Sequence, residues 1–110
     1  MTRLITTGRF TQDYMAKLTA APEDREPPVR KLLEAAGGKL VNFYFTTGDS
    51  DFVLITEADE AEAIIAALMA AASAGMISNM STSRAWTGAE FKAVAEKASQ
   101  AASAYKAPGS

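Results

Sequence analysis

Apolar residues follow two different spacings along this chain, and the change from one spacing to the other marks the predicted elements. Short stretches in which β-branched and aromatic residues alternate with polar ones are typical of strands. Four such stretches occur, at Arg3–Phe10, Leu40–Thr47, Phe52–Glu57 and Met76–Trp86. Because only Gly48–Asp51 separates the second stretch from the third, these two strands should form an antiparallel hairpin.

Between and after the strands, apolar residues recur three and four positions apart, which predicts helices that bury one side. Proline lacks a backbone N–H and breaks a helix. The segment after the first strand should therefore hold two short helices, the second beginning near Pro27 or Pro28 and ending at Gly37-Gly38. The predicted N-caps of the other helices are Thr11, Asp59 and Thr87.

The resulting element order is βαββαβ followed by a C-terminal helix. Strand–helix–strand halves of this kind build a four-stranded antiparallel sheet with helices on one face, so the predicted class is α+β with a ferredoxin-like fold. A chain of 110 residues fits one domain by its size, and we place that domain at residues 1–105. Residues 106–110 are expected to form a C-terminal tail.

The second and third predicted strands carry apolar residues on both sides. In the second strand, strict alternation places Val41, Phe43 and Phe45 on one side, and Leu40 and Tyr44 on the other. A sheet with one face in water alternates cleanly between apolar and polar residues. The face away from the helices is therefore expected to be covered. Because no predicted segment is left over to cover it, the expected partner is a second copy of the chain.

The composition narrows the possible functions. The formal net charge is −2, and no cluster of Lys and Arg offers the phosphate contacts that nucleic-acid binding requires. The chain has no cysteine and no histidine, so we expect no disulfide, no metal site and no cofactor. An N-terminus without a signal-peptide core and helices too short to span a bilayer predict a cytoplasmic protein without membrane contact.

Three segments carry a resemblance to a known family: "ITTGRFTQ", "GGKLVNFYFTTGDSDFVLITEA" and "SRAWT". Through them the sequence resembles the GYD-domain family of small bacterial and archaeal proteins, named for a Gly–x–Tyr–Asp-type motif. Gly48 and Asp51 keep two motif positions, whereas Ser50 occupies the tyrosine position, which removes any role that depends on that tyrosine. The resemblance implies a dimeric α+β barrel, in which two ferredoxin-like sheets pack face to face, and it implies no general biochemical function.

Candidate ligand-binding residues lie on the second and last predicted strands. Asn42 and Tyr44 should share one face, where an amide and a phenol among apolar side chains are typical of a small-molecule pocket or, alternatively, of a packed interface. Arg84 and Trp86 should share a face of the last strand. The arginine could hold a carboxylate or phosphate, or form an ion pair at a subunit contact. The tryptophan could instead belong to the core or cover the edge of the sheet.

The hairpin and the first helix supply the remaining residues of interest. Asp51 directly precedes a buried strand, where it could cap backbone N–H groups or meet Arg84 across the sheet or across an interface. Asp49 is interpreted as a turn residue, since aspartate stabilises turns by bonding to its own backbone. Tyr14 is interpreted as a contact from the first helix to the core.

These features lead to one main hypothesis and two alternatives. The main hypothesis is a homo-oligomeric, cofactor-free α+β barrel protein that binds a small apolar or aromatic acid between its sheets. The first alternative is a cofactor-independent enzyme, similar to the isomerases and monooxygenases built on such barrels, which would have to use Asp51, Tyr44 or Arg84. The second alternative is a regulatory or assembly module without catalysis. Because fold does not fix function, the resemblance does not decide among them.

Overall fold

The computed structural model of the chain describes residues 1–109. Ser110, the last residue of the predicted tail, lies outside the described residues. The elements are β1 (Thr2–Phe10), α1 (Gln12–Ala20), α2 (Glu26–Ala36), β2 (Lys39–Phe45), β3 (Phe52–Ala58), α3 (Ala61–Ser73), β4 (Ile77–Ala85) and α4 (Gly88–Ala102). The predicted order of strands and helices is confirmed, including the broken helix after the first strand. Within residues 1–109, no helix combines the length and the apolar character needed to cross a membrane.

The four strands form one antiparallel sheet whose spatial order, β2-β3-β1-β4, differs from the order of the strands along the chain. β1 and β3 lie at the centre, and β2 and β4 form the two edges. The predicted hairpin is confirmed, because β2 and β3 pair from Lys39 opposite Glu57 to Phe45 opposite Phe52. This α+β arrangement is consistent with a ferredoxin-like fold.

Capping residues set several of the helix boundaries. The Thr11 side chain accepts a hydrogen bond from the Tyr14 N–H, as expected of an N-cap. Gly37 ends α2 with φ of 96°, a left-handed conformation that glycine adopts without a steric penalty. The prediction of Asp59 as a cap was wrong: α3 begins one residue later, after Glu60, which makes no side-chain cap bond. The difference arises because β3 continues through Ala58, beyond the predicted strand end.

Because of a β-bulge in β2, some side chains lie on the side of the sheet opposite to the one predicted. The pairing register between β2 and β3 shifts between Leu40 and Asn42, so the alternation of sides restarts there. Leu40, Phe43 and Phe45 consequently lie opposite Thr56, Leu54 and Phe52, on the helix side of the sheet. Strict alternation had placed Leu40 on the other side, and a bulge is not visible in that pattern.

The core lies between this side of the sheet and the helices α2 and α3. Nine buried residues form it: Leu4, Leu33, Leu40, Phe52, Leu54, Ala58, Ile64, Ala67 and Leu68. Ile64 is fully buried, at 0% exposure, and its methyl group lies where a Cβ on Gly38 would have to stand. A glycine is therefore needed at the start of β2 so that α3 can approach the sheet.

The opposite side of the sheet, which we call the open face, is uncovered. On the central strands it carries Ile5, Val53 and Ile55, and on the edge strand β2 it carries Asn42 and Tyr44. Ile5 is 36% exposed and Tyr44 is 55% exposed, although both stand on strands of the sheet. The prediction that both sides of the hairpin strands carry apolar residues is confirmed.

The last helix projects from the rest of the chain. Every described residue from Trp86 onward is exposed, including all of α4. The principal-axis extents are 63 × 30 × 23 Å, and the radius of gyration is 18.0 Å. A compact domain of this length has a radius of gyration of about 13 Å, so the chain is elongated.

Candidate functional site

An apolar pocket with a cavity volume of about 130 Å³ lies between the sheet and the helices α1, α2 and α3. Its walls come from β1, β2 and β3 on one side and from the helices on the other. The side chains that line it include Phe10, Tyr14, Arg25, Val29, Phe43 and Phe52. We call this cavity the aromatic pocket.

Aromatic rings fix the shape of one wall of the aromatic pocket. Phe10 at the end of β1 stacks on Tyr14 of α1, with ring centroids 4.1 Å apart and an interplanar angle of 6°. Phe10 also contacts Phe52 at 5.1 Å, and Phe43 meets Phe52 edge to face at 6.5 Å. Since such ring pairs have preferred geometries and few rotatable bonds, this wall is preorganised.

The close contact between β1 and Phe52 depends on Gly8. A Cβ at this position would lie 2.8 Å from the Phe52 ring and 3.2 Å from the Ser78 carbonyl oxygen. Real side chains do not approach this closely, so any larger residue would displace the ring. Gly8 therefore helps to position one wall of the aromatic pocket although it does not line the cavity.

Arg25 supplies the single formal charge among the residues that line the aromatic pocket. Its Nη1 donates to Glu23 Oε1 at 2.6 Å, and its guanidinium carbon lies 5.7 Å from the centre of the Tyr14 ring. Partial burial lowers the pKa of Arg25, but Glu23 and Tyr14 together raise it by more, so the pKa lies above its ordinary value. The group is thus a fixed cation at the edge of an apolar cavity, where a carboxylate could form a charge-assisted hydrogen bond.

The structure separates the candidate residues that the sequence analysis grouped together. Asn42 and Tyr44 lie on the open face, and Asn42 Nδ2 donates to the Tyr44 hydroxyl at 3.3 Å. Arg84 pairs with Leu4, a core residue, so it belongs to the helix side of β4. Because β2 and β4 are opposite edges of the sheet, a single chain does not bring Arg84 and Tyr44 to one site.

Asp51 has a partner on the neighbouring strand. Its Oδ2 accepts a hydrogen bond from the Phe10 N–H at 2.9 Å, and it lies 3.9 Å from Arg9 Nε. Its own N–H donates to the Gly8 carbonyl. Of the alternatives considered for Asp51, the described contacts match the capping of backbone N–H groups, which extends the pairing of β1 and β3 by one step.

Arg84 and Trp86 share a face, as expected, and they connect β4 to α4. The Arg84 guanidinium lies 4.9 Å above the Trp86 ring, and Trp86 meets Phe91 of α4 edge to face at 5.5 Å. Neither residue lines the aromatic pocket. Their contacts orient the last helix relative to the sheet.

The aromatic pocket and its cation were not predicted from the sequence. Tyr14 was interpreted only as a core contact, and its 7% exposure agrees with that, yet the ring also lines the cavity. One signal was available: Phe10 and Tyr14 flank the Thr11 cap, so a helix beginning there brings the two rings together. Arg25 had no comparable signal, because its position depends on how the proline-rich segment folds back. Within residues 1–109, no three acidic residues cluster closely enough to hold a metal ion.

Comparison with known proteins identifies a family and a similar fold. The family model described as GYD domain matches residues 4–95. No curated protein matches the sequence. Among solved structures, the crystal structure of TTHA0845 from Thermus thermophilus is similar, with a TM-score of 0.51 and 13% sequence identity, over 80% of this chain and 96% of that chain. At this identity the likeness concerns the fold alone.

Proposed function

Given that the chain belongs to the GYD domain family, we propose that it is a homo-oligomeric α+β protein that binds a small apolar or aromatic acid. The observation that carries this proposal is the aromatic pocket, an apolar cavity with one fixed cation, Arg25, at its edge. We place the ligand on the helix side of the sheet. The residues first considered for a site between two sheets, Tyr44 and Arg84, lie on opposite sides of the sheet.

The size of the aromatic pocket indicates a ligand with one ring or a short chain. Its cavity volume is about 130 Å³, and an engineered apolar cavity of roughly 150 Å³ in another protein binds benzene. Apolar walls favour a ring or an alkyl chain through burial of apolar surface. A carboxylate on such a ligand would meet Arg25 and either share or replace its contact with Glu23.

The open face supports the oligomeric part of the proposal. Ile5, Val53 and Ile55 form a patch across the two central strands, with Tyr44 beside it on β2. Two such sheets packed face to face would bury this surface at a separation of about 10 Å. A second copy of the chain is the proposed partner, and the result would be a dimeric α+β barrel.

A cofactor-independent enzyme is the second candidate, and Tyr14 favours it. This phenol is 7% exposed, lines the aromatic pocket and stands beside the Arg25 guanidinium. A phenol in an apolar cavity beside a cation has the position of a general acid toward a bound compound. Mass spectrometry of a bound compound before and after incubation distinguishes the two candidates, because a binding protein returns the compound unchanged.

The binding proposal is tested by thermal shift with benzoate, phenylacetate and hexanoate, each compared with its neutral amide. We expect the acids to raise the melting temperature more than the amides. In Arg25→Met the affinity for the acids should fall about tenfold to a hundredfold, since a charge-assisted hydrogen bond contributes about 1.5–3 kcal/mol.

Arg30→Met is the matched control for this experiment. Arg30 also forms an ion pair with a nearby glutamate, Glu26, at 3.1 Å, but it does not line the aromatic pocket. Acid binding should be unchanged in this variant. If the acids stabilise Arg25→Met as much as the unmodified protein, Arg25 is not part of the site. If no acid stabilises the unmodified protein, the proposed ligand class is contradicted.

A further inference from the structure

The helix α4 has an apolar side that touches almost nothing in its own chain. Residues that fall on one side of the helix form this side, which we call the α4 stripe: Phe91, Val94, Ala95, Ala98 and Ala102. Tyr105 follows just beyond the end of the helix. Phe91 is 46% exposed and Tyr105 is 72% exposed. The other side of the helix carries Lys92, Glu96, Lys97 and Gln100. This is the pattern of a helix that packs against another surface.

The start of α4 is held firmly, so the helix has a defined direction. Thr87 and Glu90 form a complete capping box. Glu90 also accepts a hydrogen bond from Arg3 Nη1 at 2.7 Å, and Phe91 packs on Trp86. Because an isolated helix of this length is marginal in water, these contacts and a partner for the α4 stripe would together stabilise it.

The accessible surface of the chain exceeds that of a compact monomer by enough to form an interface with a partner. The accessible surface is 7389 Å². A compact monomer of 11.6 kDa exposes about 5,800 Å², so this chain exposes roughly 1,500 Å² more than its mass predicts. A standard protein–protein interface buries about 800 Å² on each partner. The excess is thus sufficient for a stable interface.

We propose that α4 packs the α4 stripe against a second copy of the same chain. Arg3 stands on the open face, next to Glu57, and binds Glu90 in the first turn of α4, while Phe91 packs on Trp86, which shares the helix side of the sheet with Arg84. The helix therefore begins at the end of the sheet with contacts on both of its sides, one of them the open face where the second copy is proposed to lie. In a two-fold dimer the α4 of each chain packs against the other chain, so the α4 stripes of both chains are covered by the same arrangement. This inference rests on the proposed self-association, and it adds α4 to the interface.

The charges of α4 are compatible with self-association. Lys92 and Lys97 balance Glu90 and Glu96, so two copies of the helix do not repel each other by net charge. A helix that recognised a strongly acidic or basic partner would carry an excess of the opposite sign. The balanced charges therefore favour a second copy over a highly charged partner.

The test measures self-association of full-length protein by sedimentation equilibrium. Asp is introduced in the α4 stripe, as Phe91→Asp and Val94→Asp, and on the opposite side of the helix, as Gln100→Asp. We expect the dissociation constant to rise at least tenfold in the two stripe variants, and to change less than threefold in Gln100→Asp. A monomeric unmodified protein, stripe variants that associate normally, or an equal loss in Gln100→Asp would each overturn the inference.

A second measurement guards against variants that merely unfold α4. Because the chain has no cysteine, Ala98→Cys and Gln100→Cys each introduce a single thiol, one in the α4 stripe and one opposite it. In the associated protein the Ala98→Cys thiol should react several-fold more slowly with a maleimide, and equal rates would contradict the inference. Neither position lines the aromatic pocket. The protein could therefore fail to bind acids and still protect the Ala98→Cys thiol, or bind acids without protecting it, so the two proposals can be told apart.

Discussion

At the scale of single residues, two glycines are required for different reasons. Gly48 in the β2–β3 turn has φ of 103°, and a Cβ there would meet nothing within 4 Å, so its requirement is conformational. Gly8 in β1 has no such backbone need, and its requirement is space, because Phe52 packs directly against it. The sequence motif emphasises Gly48, whereas the aromatic pocket depends on Gly8.

We predict that Gly8→Ala lowers the free energy of unfolding by about 1–3 kcal/mol, the usual cost of adding a methyl group to a packed core. Gly88→Ala is the control: this residue begins α4, has no atom within 4 Å of an added Cβ, and should be neutral or slightly stabilising. Urea unfolding of both variants measures the difference. Equal stabilities would show that the Phe52 ring moves aside without cost.

At the scale of elements, the start of α4 depends on one carboxylate. The Glu90 side chain accepts hydrogen bonds from the Thr87 N–H at 2.7 Å and from Arg3 at 2.7 Å. The Thr87 N–H is the larger cause, and together with Arg3 it lowers the pKa of Glu90 from 4.5 to about 2. A single ionised group thus joins β1, the helix cap and the first turn of α4.

This depressed pKa predicts how the anchoring of α4 depends on pH. A group whose pKa is lower in the folded protein stabilises it fully above the unfolded value and loses that contribution as pH falls through the folded value. The anchoring should therefore be complete above pH 4.5 and weaken toward pH 2. Carbon-13 NMR titration of the Glu90 carboxyl measures the pKa directly. In Arg3→Met the midpoint should rise partway toward 4.5, and an unchanged midpoint would contradict the role of Arg3.

At the scale of the whole molecule, one chain leaves two apolar surfaces uncovered. The open face and the α4 stripe lie on different elements, and the start of α4 contacts both Arg3 on the open face and Trp86, which shares the helix side with Arg84. The helices cover only the other side of the sheet. In the proposed self-association, a second copy would cover both surfaces.

We predict that light scattering at tens of micromolar gives at least a dimer. Ile55→Lys, which places a charge in the centre of the open face, should shift the protein toward monomer, since burying an unpaired charge is costly. The control is Ile65→Lys, on α3 at 41% exposure, which should leave the assembly unchanged. A monomer of 11.6 kDa in the unmodified protein would contradict the face-to-face arrangement.

The sequence by itself determined the elements and the family. Local signals were sufficient for the order of strands and helices, the hairpin, the proline-broken helix and the caps at Thr11 and Thr87, because each depends on residues a few positions apart. The apolar character of both sheet faces was also visible. The "GGKLVNFYFTTGDSDFVLITEA" segment carried the family resemblance, which the match over residues 4–95 confirms.

Only the tertiary structure decided which residues meet. The bulge between Leu40 and Asn42 is set by pairing with β3, so alternation along β2 alone could not place Leu40 on its side. Arg84 and Tyr44 are separated because the strand order puts β4 and β2 at opposite edges. Arg25 reaches the aromatic pocket only because the chain folds back before α2. Each of these results depends on contacts between residues distant in sequence, which no local pattern encodes.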